Sequence, residues 1–254
     1  MSYNMKKITS RSNPLITQIV QLHDAKGRAE QGLFIAQGKN VISSLLASGM
    51  KMEYVFATTA QEPLVYEFST DAQVILVDSS VINKISTLKT PSGIMGVFRI
   101  PQAPAWKQLT AGVVTANITD PGNLGTILRT CAAFGVKSLV TIDGVDLYNP
   151  KLVQASAGTL GLVTVFKSNW QEFIEHTKDF SKAALVVKDG IAIEKIKPDN
   201  LLLMIGNEAH GIPHEWLEHC DKKVTIHMKG YAQSLNAAIA AGIAIYSCWG
   251  RSAA

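Results

Sequence analysis

Three polar segments in the second half of the sequence have residue types and spacings that could support chemistry: 117–130, 205–213 and 226–238. Each follows a short apolar run of the kind that forms a buried strand. In a parallel sheet, ligands bind at the carboxyl ends of the strands. The sequence therefore predicts that these segments meet at one binding site.

The first segment contains a turn and the start of a helix. Asp120, Pro121 and Gly122 are typical turn residues, and we expect Asn123 to cap the helix that follows. Helix formation alone explains these four residues. It does not explain Arg129, a polar residue beside the apolar stripe of this short helix.

The other two segments also place polar residues next to apolar elements. An apolar strand ends at Ile205 and is followed directly by Gly206, Asn207 and Glu208. In the third segment, we expect Ser234 to cap a helix that is small and apolar on nearly every face through Ile245. Such a helix is predicted to pack tightly on all sides.

The elements that must position these segments alternate between strands and helices. A helix is predicted over 124–134, ended by Gly135. The predicted strands are mostly apolar: 112–116, 138–142, 162–166, 184–187, 201–205 and 224–226. This pattern favours an α/β fold with a parallel sheet covered by helices on both faces.

A separate domain is predicted before this one. Pro101 and Pro104 interrupt the pattern, so we place a linker at 101–110 between a domain at 1–100 and a domain at 111–254. The first domain is predicted to be a small α/β unit. Its elements are a helix at 38–48 stopped by Gly49, strands at 54–57, 74–77 and 93–98, and a helix at 81–88.

Composition narrows the function classes. The 254 residues are 47% hydrophobic and 17% charged, which is typical of a well-packed globular chain. The net charge of +4 is compatible with a polyanionic partner. Six basic residues in the first 40 positions could contact phosphate: Lys6, Lys7, Arg11, Lys26, Arg28 and Lys39.

Three cysteines without close spacing make a disulfide framework or a zinc ribbon improbable. No export signal and no apolar stretch of about 18 residues is evident. These observations favour a cytoplasmic protein without a membrane partner.

The three segments together resemble the SpoU/TrmH branch of the SPOUT RNA methyltransferases. The motifs of that branch run approximately N-x2-D-P-x-N-x-G-x-I-x-R-T-x2-A-F-G, then G-N-E-x2-G, then I-x-M-x5-S-L-N, and all three occur here in order. More faintly, 34–39 and 89–94 resemble the L30e-like substrate-binding domain that precedes the catalytic domain in many members. This chain has Gln37, Ser92 and His227 where the family pattern often has Glu, Gln and Pro.

The resemblance implies a catalytic domain with a deep trefoil knot, a rare exception among protein folds. It implies S-adenosyl-L-methionine as cofactor, held mostly by backbone groups, with Gly206, Ile226, Met228 and Leu235 as contacts. Glycine at 206 suits close backbone approach. The family also implies a homodimer whose partner subunit completes the site, with the last helix, 234–249, at the interface. Burial of that helix inside one subunit is equally compatible with its composition.

The implied reaction is methyl transfer to a ribose 2′-hydroxyl, which requires no metal and points to RNA. By resemblance, Arg129 lies nearest the hydroxyl, and the site also includes Asn123, Glu208, Ser234 and Asn236. A guanidinium stays protonated, so we favour a role for Arg129 in binding the flanking phosphate and positioning the hydroxyl. The proton would leave through a neighbouring group or water.

Three other functions are less compatible with the sequence. A zinc hydrolase is disfavoured, because HExxH would need His at Glu218 and HxxEH would need His at Glu215. A non-catalytic knotted RNA-binding protein is disfavoured by the intact motif residues, and a base methyltransferase by the motif set. The preferred substrate is large-subunit ribosomal RNA, with transfer RNA as the alternative. The residues do not discriminate a housekeeping role from self-protection against an antibiotic.

Overall fold

The structure is a computed structural model that describes residues 5–68, 71–231 and 233–250. These residues form two units. The first unit comprises the described residues up to Gln102 together with Asp146–Gly161, and the second comprises Ala103–Val145 with the described residues from Leu162 onward. Residues 1–4, 69–70, 232 and 251–254 of the predicted domains lie outside the described part. The break at 102/103 falls within the predicted linker, and the functional domain boundaries stay a prediction.

The first unit is built on a five-stranded sheet in the order β1-β4-β3-β5-β2, in which β5 is antiparallel to β2 and β3. Its strands are β1 Lys6–Ile8, β2 Leu33–Gln37, β3 Met52–Ala57, β4 Gln73–Val77 and β5 Ile94–Arg99. Its helices are α1 Pro14–Gln21, α2 Ala25–Gln31, α3 Lys39–Ala47, α4 Glu62–Val65, α5 Ser79–Ile85 and, from the returning segment, α7 Pro150–Ala155. Helix α3 ends at Ala47. Two residues later, Gly49 has a φ of +83°, which is readily adopted only without a side chain.

An ion pair holds the returning segment, 146–161, within this unit. The Arg28 guanidinium donates to Asp146 Oδ2 from Nε at 2.8 Å and from Nη2 at 2.5 Å. Its Nη1 donates to the carbonyls of Leu22 and His23. Because Arg28 is buried and fully paired, the expectation that it contacts phosphate is wrong.

The second unit contains a seven-stranded sheet in which every pairing is parallel, in the order β10-β12-β9-β11-β6-β7-β8. The strands are β6 Gly112–Ala116, β7 Ser138–Ile142, β8 Thr164–Ser168, β9 Ser181–Leu185, β10 Ile191–Ala192, β11 Leu201–Ile205 and β12 Lys222–Thr225. The helices are α6 Pro121–Ala133, α8 Trp170–His176, α9 His214–Leu217 and α10 Ala237–Ile245, and α10 continues into a π-helical turn, Tyr246–Gly250. Strands β6, β7 and β11 are buried at every position, so both faces of the sheet are covered, which confirms the predicted α/β architecture.

Both predicted helix caps were displaced along the chain. The carboxylate of Asp120, not Asn123, caps α6 by accepting from the Asn123 backbone N–H at 2.9 Å. Likewise Asn236, not Ser234, caps α10. In each case two cap-competent residues lie within four positions, and only the backbone path decides which one precedes the first helical turn.

The expectation that the last helix packs on all sides was wrong. Ile239, Ile243 and Tyr246 are 57%, 39% and 49% exposed, while Ala241, Ala244 and Ile245 are buried. One face of α10 packs inside the unit, including against α6. The opposite face presents apolar side chains to solvent.

Candidate active site and its cofactor cavity

A cavity of about 420 Å³ lies at the carboxyl ends of β9, β11 and β12. Its walls come from the chain that follows each strand and from the first turn of α10. The lining residues are Leu185–Val187, Ile205–Gly211, Ile226, Met228, Gln233–Leu235, Ala237 and Ala240. Two of the three polar segments, those after β11 and β12, therefore form walls of one cavity, as the position of ligands in parallel sheets predicts.

The wall formed by 206–211 is a tight loop closed on itself. Asn207 and Gly211 exchange backbone hydrogen bonds, with N···O distances of 3.1 and 2.9 Å. A Cβ atom at Gly206 would lie 2.4 Å from the carbonyl carbon of Gly211, which no real contact permits. Glycine at 206 is therefore required by the closure of the loop itself, and any ligand benefits from the resulting backbone shape.

Asn207 lies inside the second motif, but no role in the site was predicted for it from the sequence. Its Nδ2 donates to the Asn117 carbonyl at 2.8 Å, and its Oδ1 accepts from the backbone N–H groups of Ala209 and His210. Asn207 thus fastens the loop to the end of β6. The signal that could have identified it is an amide directly after a buried strand, where backbone groups need partners.

A chain of side-chain hydrogen bonds joins all three polar segments. Asn236 accepts from the backbone N–H groups of Ala238 and Ile239 through Oδ1, at 2.9 and 3.3 Å, and donates through Nδ2 to Asn123 Oδ1 at 3.1 Å. Asn123 in turn donates through Nδ2 to Glu208 Oε1. The helix cap fixes which atom of Asn236 faces Asn123, and this fixes the Asn123 N–H groups toward the carboxylate.

The site residues predicted from the sequence line the cavity, join the hydrogen-bond chain or, in the case of Arg129, lie further along α6. All four cofactor candidates, Gly206, Ile226, Met228 and Leu235, line the cavity, and so do Glu208 and Ser234. Asn123 and Asn236 are linked to Glu208 by the hydrogen bonds above.

Arg129 lies six residues after Asn123 on α6, a rise of about 9 Å along the helix. Its side chain is exposed, and within the described residues no hydrogen bond or ion pair engages its guanidinium.

The described part of the chain offers neither a reactive thiol on α6 nor a metal site. Burial raises the pKa of the Cys131 thiol, on the inner side of α6, to about 12, so it stays protonated. Within the described ranges, no cluster of three or more His, Cys, Asp or Glu side chains could hold a metal ion. Across the same residues, none of the helices is both long and apolar enough to span a membrane.

Comparison with known proteins identifies the family of the chain. Residues 111–246 match the SpoU rRNA Methylase family, and residues 13–96 match the MRM3-like substrate binding domain. The chain belongs to the SpoU rRNA methylase family. This family member is 31% identical to an uncharacterized tRNA/rRNA methyltransferase of Synechocystis, over 97% of this chain and 94% of the relative.

It is 28% identical to the 23S rRNA (guanosine(2553)-2′-O)-methyltransferase RlmP of Bacillus subtilis, over 95% of this chain and 98% of the relative. Among solved structures, the AdoMet-bound rRNA methyltransferase from Sinorhizobium meliloti superposes with a TM-score of 0.88 at 27% identity. That match covers 98% of this chain and 99% of the other.

Proposed function

We propose that this SpoU family member transfers a methyl group from S-adenosyl-L-methionine to the 2′-hydroxyl of a ribose in RNA, with 23S-type ribosomal RNA as the substrate. The observation that carries the proposal is the hydrogen-bond chain Asn236–Asn123–Glu208, because it connects the three motif segments and ends on a residue that lines the cavity. The relatives named as 23S rRNA 2′-O-methyltransferases support ribosomal RNA over the transfer RNA alternative.

The cavity fits the proposed cofactor. Its volume of about 420 Å³ lies within the range of small-molecule sites. Ile226, Leu235 and Ala237 provide an apolar lining for a purine ring, and the closed loop 206–211 provides backbone groups for polar atoms. When bound, S-adenosyl-L-methionine supplies an electrophilic methyl group on a sulfonium sulfur.

The residues of the site divide the remaining work. Asn123 holds Glu208 by donating to Oε1, which leaves Oε2 to accept a hydrogen bond from the ribose hydroxyl and to take its proton. Arg129 carries a permanent charge and an open donor fork, so it binds the phosphate beside the target ribose and aligns the hydroxyl. Ser234 lines the cavity beside Leu235 and offers a hydroxyl to polar groups of the bound molecules.

The proposed assembly is a homodimer. Ile239, Ile243 and Tyr246 recur at a spacing of four and three residues, so they form one exposed apolar stripe on the last helix and the turn after it. Such a stripe is typical of a face covered by another chain. Because α6 packs against α10, the second copy would lie close to exposed Arg129 and complete the site.

Three further features belong to the same proposal. We propose that the chain around β11, β12 and α10 is threaded into a trefoil knot, supported by a strand order in which β9, β11 and β12 depart from sequence order. The domain at 1–100 would recruit RNA, supported by the match of 13–96 to a substrate-binding domain. The proposed site of action is the cytoplasm, supported by the bacterial 23S rRNA methyltransferases among the relatives.

The test is methyl transfer from labelled S-adenosyl-L-methionine to in vitro transcribed 23S rRNA, followed by mapping of 2′-O-methyl positions. We expect one ribose methyl with wild type and at least about a 100-fold lower rate with Arg129→Ala, because the hydroxyl loses its alignment. Thermal unfolding should be unchanged, since Arg129 is exposed. With transfer RNA assayed in parallel, wild type that binds the cofactor and labels neither RNA would support the non-catalytic alternative instead.

A further inference from the structure

The loop between β12 and α10 has two different sides. Ile226 and Met228 line the cofactor cavity. The residues between and after them, His227, Lys229 and Tyr231, are exposed to solvent. The same short stretch therefore forms a cavity wall on one side and a polar surface with one aromatic ring on the other.

Tyr231 stands out among the aromatic residues. Its relative exposure is 108%, so its ring packs against none of the other residues that the structure describes. By contrast, Trp170 stacks on Trp216 with ring centroids 4.5 Å apart, and Tyr246 packs edge-on against Phe134. A tyrosine that buries no area contributes nothing to folding by the hydrophobic effect. Its exposed ring is available to pack against a ligand.

Lys229 lies two residues before this ring and is also uncommitted. Its side chain is exposed, and no acidic group pairs with it within residues 5–68, 71–231 and 233–250. The combination of a free cation with an exposed ring is the one by which proteins hold single-stranded nucleic acid, through phosphate contact and base stacking.

The position of the loop specifies which part of the RNA it would meet. A ribose undergoing methylation must reach the cavity that this loop walls, so the adjoining nucleotides pass over the loop's outer side.

We propose that Lys229 and Tyr231 form a contact strip for unpaired RNA next to the target nucleotide, with Lys229 on a phosphate and Tyr231 stacked on a base. The strip rests on the proposed function, since it presumes that RNA reaches the cavity. Its chemistry requires an unpaired base, because a ring can stack on a base only where the base is not already stacked in a duplex.

The experiment measures binding of labelled, in vitro transcribed 23S rRNA at several salt concentrations. We expect Tyr231→Ala to weaken binding about tenfold, within the range for loss of one stacked base, and Tyr231→Phe to stay within about twofold of wild type. Lys229→Ala should weaken binding and lower the slope of log K against log salt by about 0.7. Lys222→Ala is the matched control, because Lys222 is exposed at the opposite end of β12 and should change neither quantity.

Two further measurements separate the strip from other roles of Tyr231. Calorimetric affinity for S-adenosyl-L-methionine and the sedimentation behaviour of Tyr231→Ala should match those of wild type. Unchanged RNA binding by Tyr231→Ala, equal losses of RNA and cofactor affinity, or a changed oligomeric state would each overturn the strip. Wild type that binds RNA and transfers no methyl would instead refute the proposed function, and wild type that binds no RNA would refute both.

Discussion

Substitution of Asn236 by aspartate separates two tasks that this residue performs. Its Oδ1 caps α10 by accepting from the Ala238 and Ile239 backbone, and its Nδ2 donates to Asn123. Aspartate keeps the acceptor and adds a negative charge that the helix N-terminus favours. It has no N–H group, so it cannot donate.

The two tasks have different expected magnitudes. Asn236→Ala loses the cap, worth about 1 kcal/mol, and should lower Tm by about 2–4 °C. Asn236→Asp should leave Tm at or above the wild-type value. In that variant the Asn123 amide is expected to turn, donate to the new carboxylate and present its oxygen to Glu208. A hydrogen bond to a charged group is worth about 1.5–3 kcal/mol, so the methyl-transfer rate should fall by about 10- to 150-fold.

Single-turnover methyl transfer and thermal unfolding of both variants test this reasoning together. Both variants should lose activity, and only Asn236→Ala should lose stability. A wild-type rate for Asn236→Asp would show that the hydrogen-bond chain does not serve the reaction. A loss of Tm as large as that of Asn236→Ala would show that the cap is not what Oδ1 contributes.

Three further predictions follow from the packing. Gly206→Ala should abolish calorimetric cofactor binding, because its Cβ would lie 2.4 Å from the backbone of Gly211. Gly230→Ala should bind normally, since its Cβ would meet no atom of the described, non-adjacent residues within 4 Å, and equal affinities of the two variants would contradict the loop argument. Asp146→Asn should lower the free energy of unfolding, measured in urea, by about 3 kcal/mol, because it leaves the buried Arg28 guanidinium without its counter-charge. An unchanged urea midpoint would refute a stabilising role of this ion pair. Burial raises the pKa of the Cys131 thiol to about 12 and the pKa values of Cys220 and Cys248 to about 11. Native protein at pH 8 should therefore react with iodoacetamide about 100-fold more slowly than free cysteine. Rapid labelling before unfolding would contradict this prediction.

The amino-acid sequence by itself determined the parallel α/β architecture and predicted which polar segments come together at one edge of the sheet. A continuous apolar strand such as 201–205 can be buried only between two layers of helices, so its composition predicts the sheet. Polar residues directly after such strands must lie at its carboxyl edge, which is why the segments 117–130, 205–213 and 226–238 were predicted to meet, while the roles of single residues came from the family resemblance. These inferences depend on local composition and on one general rule of sheet geometry.

Tertiary structure decided what depends on contacts between distant residues. The pairing of Asn236 with Asn123 spans 113 positions, and no local pattern encodes which amide atom faces which. The same holds for Arg28, whose burial depends on Asp146, 118 positions away. Exposure of one face of the last helix was equally hidden, because its composition is apolar all round and only the arrangement of neighbouring elements shows which side the rest of the chain leaves open.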